Sequence, residues 1–264
     1  MLLAWKRFFI KDETPEDAPG FLKKEGVDVL DTQKSMKDLK EATALAAKSF
    51  AGTEKTDPEW SIHWIIGPKR ANFSHPDRIP FCRFILGNLI CRQALILVAK
   101  GESGDLEAMV AARYLKGPTP KWRDTMEEWV GHLTVLIGGL GPFATCLLTD
   151  WKLNRRLFGA VDALHEKHHT AVPGPHLYVG PVAVDPDCQG RGHTGRLMRT
   201  LGKYADSKGI PCYLEATGVR NKSIYERFGY RVVESFHPSS FVKQDEEGNV
   251  QTEAYAMVRD PQKI

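Results

Sequence analysis

The residues best placed for chemistry lie in the run VDPDCQGRGHTG at 184–195. Gly190, Gly192 and Gly195 let the backbone approach an anion closely. The amides that open a following helix have no partner inside it and point their hydrogens at the same place. Arg191, Arg196 and Arg199 add positive charge. Together these features describe a cradle for a diphosphate. The same residues satisfy the dinucleotide fingerprint G-x-G-x-x-G, with Glu215 about where a ribose-binding acid belongs, so an oxidoreductase using the GRGHTG loop is the alternative. Against it, several residues including Pro186 separate the expected strand from Gly190, where the nucleotide fold turns tightly. A glycine-rich turn without a ligand is the third reading.

Two other stretches carry chemical patterns. HEKHH at 165–169 matches H-E-x-x-H, which on a helix sets His165 and His169 on one face with Glu166 as base. A third ligand is missing from the extended pattern, because Val172 and Pro175 stand where Gly and His belong. No metal is expected. From Val130 to Thr149 there is no formally charged residue, a length near the roughly twenty residues that span a bilayer. Its glycines and Pro142 read instead as two short packed helices, and no membrane partner is expected.

The elements that must hold the loop follow from periodicity. Val27–Leu30 reads as a strand, and Ser35 caps a helix with Met36, Leu39, Ala42, Leu45, Ala46 and Phe50 on one face. Short helices are expected at 58–68 and 80–93. ALILVAK and AMVAARYL flank the turn-rich GESGDLE as a hairpin. The stretch 121–169 is helical with glycine breaks. A strand at 177–184, a helix at 194–208, the strand CYLEA, a helix at 221–228, and strands YRVVESF and AYAMV complete the chain. The expected architecture is an α/β sheet, antiparallel at one end and parallel in its second half, with one βαβ unit at 177–217.

With 264 residues and 42% hydrophobic content, one domain with an elaboration is expected. The net charge of +3 gives no field that argues for nucleic acid. Five cysteines, an odd number without a C-x-x-C pair, imply free thiols in a reducing, cytoplasmic setting. MLLAWKRFFI, broken by Lys6 and Arg7, reads as an apolar arm rather than a secretory leader, and KDETPEDAPG as a linker. Residues 1–26 are thus arm and linker, and 27–264 a single domain with a helical insertion at about 117–170. Trp60, Trp64, Trp122 and Trp129 read mostly as core.

QGRGHTG resembles the Q/R-x-x-G-x-G/A acetyl-CoA signature of GNAT acetyltransferases, approached by the acidic-Pro run DPDCQG. NKSIYERFGY also resembles that family, in its Asn, Tyr and Phe-Gly-aromatic ending. The resemblance covers 177–236 closely, with PHLYVGPVAVDP and CYLEATGVRN similar to the puromycin-acetyltransferase-like branch. Thr194 departs from the pattern, standing where the family has Gly or Ala. The resemblance implies a mixed, mostly antiparallel sheet with a parallel central pair, flanked by helices on both faces.

It further implies acetyl transfer from acetyl-CoA to an amine in a ternary complex. The acceptor is expected to be a small-molecule amine, with a peptide or protein amine open. A CoA-binding protein without catalysis is the other alternative. By the same resemblance the backbone of Val182, Ala183 and Val184 pairs with the pantetheine arm. Gln189, Gly190, Arg191, Gly192, His193, Thr194 and Gly195 surround the diphosphate, and Asn221 contacts CoA unless it is a helix cap. Tyr225 fits the family's thiol-protonating tyrosine, its alternative being packing beside Phe228. An amine attacks only when unprotonated, so a general base is useful. Glu215, at the end of a central strand where burial raises its pKa, is the first candidate and His176 the second; an ion pair, a turn cap or a water chain are the alternatives.

Overall fold

The computed structural model describes residues 14–53, 74–76, 78–117, 121–137, 171–236 and 253–263. The apolar arm at 1–10, the first linker residues 11–13, the helix expected at 58–68, Trp60, Trp64 and the HEKHH run lie outside the described residues, as does most of the insertion. Elements follow in the order α1 (Ala18–Lys24), β1 (Asp28–Leu30), α2 (Met36–Phe50), α3 (Arg78–Cys91), β2 (Leu95–Lys100), β3 (Leu106–Leu115) and α4 (Lys121–Ile137). After these come β4 (His176–Val184), α5 (His193–Lys208), β5 (Cys212–Thr217), α6 (Gly218–Glu226), β6 (Arg231–Phe236) and β7 (Ala254–Arg259).

The described strands form one sheet in the order β1-β2-β3-β4-β5-β7-β6. Every neighbouring pair is antiparallel except β4 and β5. The expectation of a parallel second half is therefore corrected: β7 inserts between β5 and β6 and runs against both. The mixed, mostly antiparallel sheet with one parallel central pair is as the family resemblance implies.

Strand alternation sorts the side chains onto two faces. On one, α2 and α3 cover Ile96, Val98, Met109, Ala111 and Ala183. On the other, α1 and α5 pack against Leu95, Leu97, Val110, Leu177 and Leu214. Burying each large aliphatic side chain contributes about 1.5–3 kcal/mol. Ser35 caps α2 as expected, its Oγ accepting from the Asp38 amide at 3.1 Å.

Two readings change. The segment taken as linker includes α1, whose Ala18 and Leu22 are fully buried and whose Phe21 ring meets Tyr204 at 5.5 Å. Its apolar spacing is too short to register as a helix. Trp122 and Trp129 are 69% and 63% exposed rather than core. The rotation of α4 explains this, because its inward face carries Glu127, Gly131 and Thr134. Glu127 is held by Arg113 at 2.6 Å and Arg123 at 3.1 Å, and Gly131 abuts Asn88. Among the described residues no helix is long and apolar enough to cross a membrane.

Arg259 fastens the C-terminal end of α5 to the sheet. Its guanidinium bonds both oxygens of Asp206, at 2.8 and 2.7 Å, and the Phe228 carbonyl at 3.1 Å. Burial raises the Asp206 carboxyl, but the Arg259 bonds and the Gln262 amide outweigh it and leave the pKa lowered. Asp206→Asn strands a buried cation and is expected to cost about 3–5 kcal/mol at neutral pH. Because the folded pKa is depressed, this contribution is present above the ordinary value of about 4 and lost as pH falls through the folded one. Denaturant melts of both proteins from pH 7 to 3 should show the gap closing at the acid end.

Candidate functional site

The parallel pair β4–β5 is joined at two positions, Leu177 to Cys212 and Tyr178 to Tyr213. Beyond them β4 continues to Val184 and β5 to Thr217 with no pairing between the two. β4 stays with β3, while β5 stays with β7. A split therefore opens at the sheet centre. The register of β3 against β4 shifts at Gly180-Pro181, and proline, lacking an N–H, stands where the ladder is interrupted.

This geometry decides which β4 backbone groups face the split. Asp185 N–H donates to the Glu107 carbonyl at 2.8 Å, so residues 183 and 185 face β3 and residues 182 and 184 face the open edge. Ala183, expected to bind a ligand through its backbone, turns those groups to β3 instead. Val184 N–H is on the open edge but donates to Ser49 Oγ of α2 at 3.2 Å. Val182 remains as the residue whose backbone faces the split with no bond recorded there.

The loop after β4 has a geometry that suits an anion. Asp185 caps a single 3-10 turn at Pro186–Cys188, accepting from the Asp187 amide at 3.0 Å. Lys48 of α2 bridges Asp185 at 2.7 Å and Asp187 at 2.8 Å. Gly190 and Gly192 have φ of 83° and 81°, the left-handed region that glycine alone enters without strain, and a Cβ on either would point into open space. Gly192 is the N-cap of α5 and supplies no side chain to cap it. The first intrahelical bond runs from Arg196 N–H to the Gly192 carbonyl, which leaves the amides of His193, Thr194 and Gly195 at the helix mouth. That is a ready anion site, strengthened by the positive end of the helix dipole.

The side-chain charges differ from expectation. Glu107 of β3 binds Arg191 at 2.9 Å through one oxygen, and its other oxygen lies 2.7 Å from His193 Nε2, so it touches the loop on both sides. Arg196 turns away and donates to the Gly26 carbonyl. Arg199 leans over the first turn, 3.1 Å from where a Cβ on Gly195 would stand. Glu107 gave no signal in the sequence, because it reads as the last residue of the turn GESGDLE rather than as part of β3.

Glu215 lies two residues beyond the last β4–β5 pair, on the face that Tyr178 and Tyr213 share. Its Oε2 accepts from the Tyr178 hydroxyl at 2.9 Å, and Oε1 is buried without a hydrogen-bond partner among the described residues. Burial pushes its pKa up to about 7, partly offset by the Tyr178 hydroxyl and the neighbouring Tyr213 hydroxyl. His176 is fully buried on the far side of the last strand pairs, its Nδ1 2.6 Å from the Gly174 carbonyl. The structure does not bring it to Glu215.

The helix expected from 221 begins instead at Gly218, with Thr217 as N-cap. Asn221 is thus inside the first turns, donating to Thr217 Oγ1 at 3.3 Å, and is no cap. Tyr225 lies one turn further along, partly buried, its ring edge-on to Tyr230 at 6.0 Å. Glu215 points to the face opposite α5, and five residues stand between Val184 and Gly190. Neither suits a nucleotide fold with a ribose-binding acid. Among the described residues no group of His, Cys, Asp or Glu is arranged to hold a metal ion.

Comparison with known proteins agrees with the fold. The model of the acetyltransferase (GNAT) family matches residues 107–230. An uncharacterized N-acetyltransferase of Schizosaccharomyces pombe is 29% identical over 85 residues, which is 32% of this chain and 32% of that protein. The match therefore spans about a third of that relative's length. Among solved structures, arylalkylamine N-acetyltransferase 2 of Aedes aegypti superposes with a TM-score of 0.57 at 13% identity, covering 89% of this chain and 98% of its own. A second, putative arylalkylamine N-acetyltransferase 7 from the same mosquito gives 0.52 at 14% identity, covering 89% and 86%. These two structures show the shared fold.

Gly192→Ala forces a left-handed residue to carry a Cβ and is expected to lower stability by about 1–2 kcal/mol. Gly195→Ala, where φ is ordinary and the neighbour is the movable end of Arg199, should lie within about 0.5 kcal/mol of the wild type. Paired thermal melts check the contrast.

Proposed function

We propose that this chain, whose residues 107–230 match the model of the acetyltransferase (GNAT) family, transfers the acetyl group of acetyl-CoA to an amine. The observation that carries the reading is the juxtaposition of the split β4 edge, the uncapped N-terminus of α5 and Glu215 around one opening. The residues present fit a molecule with an anionic diphosphate at one end and an amide-bearing arm at the other. The amides at 190–195 hold the diphosphate, with Gln189, Arg191, His193, Thr194 and Arg199 around it. Val182 pairs with the arm as an added strand would, and Val184 joins it if Ser49 yields its bond. Asn221, in the first turns of α6, is assigned a contact with CoA in this reading.

Bound acetyl-CoA supplies the acyl group as a thioester, whose carbonyl is open to attack by a neutral amine. Glu215 takes the proton from the amine nitrogen onto its free Oε1, and its raised pKa keeps it a competent base near neutral pH. The Tyr225 hydroxyl returns a proton to the departing sulfur. His176, buried and bonded to Gly174, has no part in these steps and serves the turn before β4. The acceptor in this reading is a small amine, because the helical insertion expected at about 117–170 narrows the cleft, and a peptide or protein amine is the alternative. A cytoplasmic setting accords with the free thiols of Cys82, Cys91, Cys188 and Cys212.

Acetyl-CoA should raise the melting temperature saturably, because a ligand that binds only the native state stabilises it by mass action. NADH should not. With acetyl-CoA and a probe amine such as 2-phenylethylamine or putrescine, Glu215→Gln should lower kcat by about 10²–10⁴-fold and leave the acetyl-CoA shift intact. The wild-type rate should fall as pH drops below about 7, where Glu215 protonates. A shift with NADH alone supports the oxidoreductase, and full CoA binding without transfer to any amine supports a non-catalytic CoA-binding protein.

A further inference from the structure

Tyr178 and Tyr213 form the last pair before β4 and β5 part. Their rings stack at 6.0 Å with 28° between planes, and Tyr213 is fully buried. Glu215 is the next residue on that face of β5. A carboxylate at the apex of a split, in a low-dielectric setting, has several rotamers open to it, and a base must present one oxygen to the substrate. The Tyr178 hydroxyl at 2.9 Å removes that freedom by engaging Oε2 and leaving Oε1 for the incoming amine.

We propose that Tyr178 is a positioning residue for the acyl-transfer base: the tyrosine pair that closes the β4–β5 seam also fixes the Glu215 carboxylate in the split. The inference rests on Glu215 being that base. The phenol is suited to the task because it stays neutral. Burial raises the Tyr178 pKa well above its ordinary value, and the adjacent Glu215 charge adds to this, so the hydroxyl remains a donor throughout the range in which Glu215 titrates. A lysine or histidine there would bring a charge of its own.

The described charged and titratable groups around Glu215 come from four sources. Arg113 of β3 stands opposite Tyr178 in the ladder and is engaged by Glu127. Arg92, after α3, acts electrostatically on Tyr178. Tyr213 flanks Glu215 on β5, and Glu234 of β6 shares the row through Ala256, two strands away. Tyr178 engages Oε2 at 2.9 Å, and the Tyr213 hydroxyl beside it favours the charged carboxylate more weakly.

The test is direct titration of the Glu215 carboxyl in the unliganded protein, followed by carbon-13 NMR with labelled glutamate and assigned by loss of the signal in Glu215→Gln. The wild-type midpoint should lie near 7. Tyr178→Phe removes a donor to the charged form and should move the midpoint up by roughly one pH unit, since a hydrogen bond to a charged group is worth about 1.5–3 kcal/mol and one unit is about 1.36. The acid limb of the rate profile, with 2-phenylethylamine or putrescine as acceptor, should move by the same amount, with the rate largely recovered at high pH. An unmoved midpoint in a Tyr178→Phe protein that melts like the wild type overturns the proposal. A moved midpoint with an acid limb that stays put overturns it as well. Should Glu215→Gln keep the wild-type rate, the base assignment fails independently of Tyr178. If Tyr178→Phe melts early, Tyr178→Leu, which withdraws the phenol and adds neither bulk nor a donor, carries the same titration with the same criterion.

Discussion

Two parallel strands that part after two paired positions leave a strip of backbone without a neighbouring strand among the described residues, and the surrounding elements are arranged around that strip. Buried N–H and C=O groups are costly when unpaired, so such a split persists only where something else satisfies them. On β4 the solution is partial. Ala183 is spent on β3, Val184 on Ser49, and Val182 faces the opening. The outer edges of the pair are secured independently, β4 by β3 and β5 by β7, which is why the centre of the sheet can open without the sheet coming apart.

The surrounding elements hold that opening in place from several directions. Lys48 ties α2 to the acidic turn after β4, and Glu107 ties β3 to both sides of the glycine loop. Arg259 anchors the far end of α5, whose near end presents the amides. Most of these ion pairs are exposed enough that their value is in fixing geometry rather than in bulk stability. Glu215 is the opposite case. Its raised pKa means that folding disfavours its charged form, so above pH 7 the carboxylate, the form the proposed base role requires, works against stability. A side chain that costs stability in the state required for chemistry is the usual signature of a functional position.

What could be read from the sequence was local. The Ser35 cap, the hairpin at 95–115, the glycine loop and the helix after it are each determined by residues within a few positions of one another. Glu215 was legible as a carboxylate ending a central strand. Non-local features were not. The order β5-β7-β6 and a parallel second half imply the same strand strings, and register between distant strands decides among them. The split depends on where β4 and β5 stop pairing, which no periodicity encodes. The same holds for Glu107, Ser49 and Tyr178, whose roles come from partners far away in sequence. The exposed faces of Trp122 and Trp129 follow from Glu127 meeting Arg113 across the fold, a contact that overrides the usual preference of tryptophan for the interior.

The central claim is that one extended anionic ligand lies along the β4 edge with its diphosphate at the mouth of α5. Residue-resolved amide hydrogen exchange with and without acetyl-CoA tests it most directly. The account predicts slowed exchange at Val182 and at His193, Thr194 and Gly195, with Ala183, already bonded to β3, unchanged. Binding that leaves all of those amides exchanging at their free rates would contradict it.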